Sequence, residues 1–321
     1  MKIVVLDRGA LGFDGVSWEP LEALGELVRY KKTSEEQVVE RIGDARFVLV
    51  NGTWLTRQAI MAAPNLEWIG VTSTGYNRVD VKAASERRIP VCNSPNFSSN
   101  SVAELAFALL LELVRGAGEI SRKVKSGGRK KGERILENRI CLQELFGKTV
   151  GIVGYGAIGR RSAAIARGFG MNLIVNDDYI DQSVFADTRF VPLDELFKQS
   201  DVIMLHCPLN QDNEHMIDAD AIVQMKDGVV IINAARGGLI DEAALANALA
   251  SGKVGGAGID SVEVEPIEPD NPLMGAKNIV LTPHIGWSSR ESNERLMEVV
   301  AETLRSHLNG KTINAVNMPF K

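Results

Sequence analysis

Cysteine is scarce in this chain: Cys92, Cys141 and Cys207 are the whole complement of 321 residues, odd in number and far apart. They supply neither a disulfide framework nor a Cys-x-x-Cys motif, and all three read as reduced packing residues. Long apolar runs are lacking too. The longest, residues 102–114, is interrupted by Glu104 and Glu112 and is too short for a bilayer, which argues against a membrane partner. It predicts a buried helix. An excess of positive charge is also missing, since 36 Lys and Arg against 41 Asp and Glu leave a net charge of −5, the wrong sign for a general nucleic-acid binder. No basic-then-apolar leader precedes the strand-like Ile3-Val4-Val5-Leu6, so a cytoplasmic protein is expected. No grouping of His, Asp and Cys has the spacing of a metal site, and no metal is expected.

What is present is an alternation of strand-like and helix-like segments. Strands are expected at residues 3–6, 47–50, 68–72 and 89–92, then again at 150–153, 173–175, 202–206, 229–233, 258–260 and 279–281, with helical stretches between. This is the α/β pattern of parallel sheets covered by helices, and the length suits two doubly wound domains. The joint falls where Asn93-Ser94-Pro95-Asn96-Phe97-Ser98-Ser99-Asn100 gives way to a helix near Ser101. A final helix over residues 288–308, with Leu296, Val299, Val300, Leu304 and Leu308 at helical spacing, can return the chain to the first domain. The expected boundaries are therefore residues 1–99 with 289–321, and 100–288.

Gly154-Tyr155-Gly156-Ala157-Ile158-Gly159 lies between an apolar run and a helical stretch, the context in which G-x-G-x-x-G binds a dinucleotide. Gly154 makes the tight turn, Gly156 lets backbone approach a pyrophosphate, and Gly159 lets helix pack on strand. Asp177 follows a second apolar run, where a carboxylate can take the adenosine ribose hydroxyls and repel the extra phosphate of NADP. The cofactor expected is NAD. Asp178 is adjacent, and which carboxylate faces the ribose stays open.

Three strand ends in the last third carry chemistry. Asn233-Ala234-Ala235-Arg236-Gly237 delivers an arginine, Asp260 precedes Glu265-Pro266, and Thr282-Pro283-His284-Ile285-Gly286 delivers a histidine. Beside NAD, such a set suits reduction of a 2-keto acid. A guanidinium can clamp the substrate carboxylate or the carbonyl oxygen. A protonated imidazole gives a proton as the hydride arrives, and a neighbouring carboxylate favours its charged form. Arg236 would orient, His284 would be the acid, and Glu265 would tune it.

These stretches, with Val102-Ala103-Glu104 and His206-Cys207-Pro208-Leu209, resemble the D-isomer-specific 2-hydroxyacid dehydrogenase family over nearly the whole chain. The resemblance implies a Rossmann NAD-binding domain inserted into a flavodoxin-like substrate domain, and a homodimer formed through the nucleotide domain. It gives Arg236, Glu265 and His284 the catalytic roles, and it places Ala157, Ile158, Cys207, Ala234, Arg236, Asp260 and His284 against the cofactor, Asp260 on the nicotinamide carboxamide. Ser73-Thr74-Gly75 resembles the loop whose amides hold the substrate carboxylate, where glycine admits close approach. Trp287 resembles the glycerate dehydrogenase (hydroxypyruvate and glyoxylate reductase) branch and would narrow the pocket beside Arg236 and His284.

Alternatives remain. The turn Asn51-Gly52-Thr53-Trp54 lacks the arginine usual in phosphoglycerate dehydrogenases, yet the basic run from Arg122 to Arg134 leaves an anionic substrate open. That run has no interleaved aromatics and reads first as a solvated connector. C-terminal-binding corepressors, which use NAD to control assembly, resemble the family too, but they carry long flanking tails. Of the other histidines, His206 is expected to pack beside the cofactor domain, and His215 and His307 to lie exposed.

Overall fold

A computed structural model describes residues 1–11, 15–127 and 142–319, with the side chains of Ala10 and Leu11 left aside. Cys141 and the basic residues Arg129 to Arg134 lie outside them. Chain contacts group the residues into Met1–Ser98 with Trp287–Lys321, and Ser99–Gly286.

The first unit holds five strands, β1 (Lys2–Val5), β2 (Glu26–Arg29), β3 (Phe47–Val50), β4 (Trp68–Val71) and β5 (Val91–Cys92), all parallel in the order β2-β1-β3-β4-β5. This is the flavodoxin-like order. Its central strands are unbroken apolar runs because both faces are covered. Val4, Val48 and Ile69 share a core with the helices after β3 and β4, while Ile3, Phe47, Leu49 and Trp68 face the long helix Arg290–Leu308. Strand β2, Glu-Leu-Val-Arg, was absent from the expected set. It is a half-exposed edge whose charged ends hide its pairing with β1.

The second unit continues with β6 (Thr149–Val153), β7 (Asn172–Asn176), β8 (Val202–Leu205), β9 (Val229–Asn233), β10 (Val254–Ile259) and β11 (Ile279–Leu281), parallel in the order β11-β10-β9-β8-β6-β7. Phe190 adds a one-residue parallel bridge to Val175 beyond β7, with Val175 N donating to Arg189 O at 2.9 Å and Val191 N to Val175 O at 2.9 Å. Counted as a rudimentary strand, it completes the 3-2-1-4-5-6 Rossmann order. The helix Ser99–Arg115 buries Ala106, Phe107, Leu109 and Leu110 against one face of this sheet.

Candidate active site

The glycine turn sits at the carboxyl end of β6. Gly154 has φ +93°, and a Cβ on it would lie 2.6 Å from Cys207 N; a Cβ on Gly159 would lie 2.0 Å from the Gly154 carbonyl oxygen. Neither position tolerates a side chain. A Cβ on Gly156 would meet nothing within 4 Å, so bare backbone faces open space ahead of the helix Ala157–Gly168, whose first amides lack intrahelical acceptors. That cradle fits a pyrophosphate. Asp177, just past β7, accepts from Tyr155 N at 2.7 Å through one oxygen and from Tyr179 N at 3.0 Å through the other, which fixes its carboxylate beside the turn.

Cys207 is half-buried after β8, and burial pushes its thiol up to about 11, so it stays uncharged. His206 Nε2 pairs with Ser162 Oγ at 2.9 Å, and burial pushes its imidazole down to about 4. It is a neutral packing residue. His215 and His307 depart from expectation: both are half-buried, the first 3.3 Å from Glu263, the second against the rings of Phe47 and Trp68.

Asn233, fully buried at the end of β9, shapes the arginine loop: its Oδ1 accepts from Ala235 N at 3.0 Å and its Nδ2 donates to Arg236 O at 2.8 Å. The exposed Arg236 guanidinium makes one bond, Nη1 to Ala235 O at 2.7 Å, leaving most of its donors unclaimed by described residues. Asp260, 3 % exposed at the end of β10, does the same for the histidine turn. Its Oδ1 accepts from Thr282 Oγ1 at 2.6 Å and Ile285 N at 2.9 Å, its Oδ2 from Gly286 N at 2.8 Å, and its carbonyl from His284 N at 2.8 Å. His284 is thereby held at φ +54°, a conformation that an L-residue keeps only when its surroundings impose it.

The turn brings His284 onto Glu265. Nδ1 lies 2.9 Å from each carboxylate oxygen, and Ser261 Oγ donates to Oε1 at 2.9 Å. Burial alone would raise the Glu265 carboxyl; the bond and charge of His284, with Ser261, outweigh it and leave the carboxyl below its ordinary value. Nε2 of His284 has no partner among the described residues, and the side chain is 38 % exposed. The imidazole is anchored at one nitrogen and presents the other.

In the first unit the loop after β4 is pinned through its side chains. Ser73 Oγ donates to Gly75 O at 2.6 Å, Thr74 Oγ1 to Ser94 O at 3.2 Å and Asn93 Nδ2 to Thr74 O at 2.8 Å. The backbone N–H groups of Ser73, Thr74 and Gly75 find no acceptor among the described residues. Trp287 is half-buried against the core that holds Leu296 and Met297.

Residues 107–286 match the family model described as D-isomer specific 2-hydroxyacid dehydrogenase, NAD binding domain. The hydroxypyruvate reductase of Blautia hydrogenotrophica is 45 % identical over 321 residues, spanning 99 % of this chain and 100 % of that one. A glycerate dehydrogenase from Methylorubrum extorquens is 34 % identical over 98 % of each chain. Among solved structures, an acyclic imino acid reductase in complex with NADPH and D-Arg superposes with a TM-score of 0.86 at 31 % identity, over 98 % of this chain and 100 % of that one.

Proposed function

Since this chain belongs to the D-isomer-specific 2-hydroxyacid dehydrogenase family and is an NAD-dependent oxidoreductase, we propose that it reduces a small 2-keto acid, hydroxypyruvate or glyoxylate, with His284 as general acid. The relatives acting on these compounds support the choice of substrate. The observation that carries the acid assignment is the imidazole held through Nδ1 by Glu265 with Nε2 unpartnered.

In this reading the unit Ser99–Gly286 is the nucleotide domain and the other is the substrate domain. Gly154, Gly156, Ala157, Ile158 and Gly159 hold the pyrophosphate, and Asp177 accepts from the ribose hydroxyls and selects NAD over NADP. Cys207 and Ala234 line the cofactor. Asp260 has about one of a carboxylate's four acceptor sites left for the nicotinamide carboxamide, three being filled by Thr282, Ile285 and Gly286. When bound, NADH supplies a hydride to C2 of the substrate.

Ser73, Thr74 and Gly75 receive the substrate carboxylate on their N–H groups. Arg236 aims its unclaimed donors at the carbonyl oxygen, where negative charge grows during reduction. The proton on His284 Nε2 passes to that oxygen, and Glu265 stabilises the imidazolium beforehand. Trp287 restricts the pocket to a short side chain. We also place the enzyme in the cytoplasm as a homodimer formed through the nucleotide domain.

Steady-state turnover of a 2-keto-acid panel with NADH and NADPH tests this reading. Hydroxypyruvate or glyoxylate with NADH should give the highest kcat/KM; oxidation of neither nucleotide with any keto acid refutes it.

A further inference from the structure

Strands β3 and β4 are parallel neighbours, with Val50 opposite Val71, so the turn after β3 lies about one strand spacing, roughly 4.8 Å, from the loop after β4. Asp7, 6 % exposed at the end of β1, freezes that turn: its carboxylate accepts from Asn51 N at 3.0 Å, Gly52 N at 2.7 Å and Thr53 N at 2.6 Å. The turn ends in Trp54, whose side chain is almost half exposed.

Arg78 reaches into this turn from the far end of the β4 loop. Its Nη1 donates to Gly52 O at 2.8 Å, its guanidinium lies 5.4 Å above the Trp54 ring, and its carbonyl accepts from Leu55 N at 2.8 Å. One bond and one stacked face set the plane of the guanidinium, and its other N–H donors have no acceptor among the described residues. The side chain is exposed, so a role in core packing does not account for it.

We propose that Arg78 is a specificity-determining residue that recognises the C3 hydroxyl of a hydroxypyruvate-class substrate. The assignment rests on the proposed function, in which Ser73, Thr74 and Gly75 hold the carboxylate. With C1 there, C3 is two bonds away and falls within reach of the adjoining β3 turn. A C3 hydroxyl accepts from the guanidinium; a methyl group in its place offers no acceptor. Sites that hydrogen-bond a substrate hydroxyl discriminate against analogues that lack it.

The test is kcat/KM for hydroxypyruvate, pyruvate and glyoxylate at saturating NADH, in the wild type, Arg78→Met and Arg78→Gln. The methionine variant should lower the hydroxypyruvate-to-pyruvate ratio by about ten- to hundredfold, chiefly through KM, with pyruvate and glyoxylate changed by less than about threefold. The glutamine variant keeps a donor for the Gly52 carbonyl and should lower the ratio in the same direction, so it carries the test if the methionine variant fails to fold. An unchanged ratio, or an equal loss on all three substrates, overturns the proposal by assigning Arg78 to the turn alone. A wild type that reduces none of the three refutes the proposed function instead.

Discussion

At the scale of single residues, His284 is the place where chemistry and support separate. Its side chain touches Glu265 and presents Nε2, whereas its turn is held by Asp260 through backbone bonds. Replacing His284 by alanine should therefore lower kcat by about 10²- to 10⁴-fold and leave the dissociation constant of NADH within about twofold. A kcat close to wild type would remove it as the acid. Ser261→Ala tests the partner. Glu265 sits below its ordinary value because His284 and Ser261 outweigh burial, so its ionised form persists down through the usual carboxylate range and is lost only as pH falls through the lowered value. Without the Ser261 bond that loss begins at higher pH, and the acid limb of kcat/KM should move upward; an unmoved limb would dissociate Ser261 from the site. The residue types at the strand ends were legible in the sequence because arginine, glutamate and histidine are conspicuous after apolar runs. The bonds by which Asn233 and Asp260 hold their turns were harder to read. Asn233 looks like the last residue of a strand, and its side-chain bonds to the loop have no periodicity to betray them.

At the scale of elements, hydrophobic pattern decided what could be seen. Central strands such as β3, β8 and β9 are buried at every position and stand out as apolar runs. Edges do not: β2 pairs along one side only, and the Phe190 bridge is a single residue. Both are defined by a neighbouring strand, which local sequence does not contain. The glycine turn is the opposite case, since each glycine there answers to a steric demand. Gly159→Ala puts a methyl 2.0 Å from the Gly154 carbonyl oxygen, backbone against backbone, and the helix Ala157–Gly168 must back away from β6. NADH affinity should fall at least about tenfold, because the phosphates lose the helix N-terminus they were aligned with. Titration of NADH by fluorescence reads this directly, and affinity within about twofold of wild type would contradict the packing role. Gly156→Ala meets no atom within 4 Å, so any loss it causes reports on the ligand and not on the fold.

At the scale of the whole molecule, acid sensitivity follows from two histidines whose imidazoles burial lowers, His206 and the half-buried His307. The fold holds His206 neutral against Ser162, and burial lowers its value from 6.5 to about 4. Between those two values the unfolded chain binds a proton that the folded protein refuses, so stability is complete above about pH 6.5 and declines as pH falls towards 4. The slope from one such group is at most about 1.4 kcal/mol per pH unit. Carboxylates whose values are lowered by partners, such as Glu67 with Arg46 and Glu86 with Arg57, add their share only at lower pH, and their exposure keeps it small. The upper part of the acid transition should therefore belong to His206 and His307. The His206→Gln variant, which retains an amide for Ser162, should show a shallower decline in melting temperature from pH 6.5 down to about 5 than the wild type. A variant that declines in parallel with the wild type would place the sensitivity elsewhere.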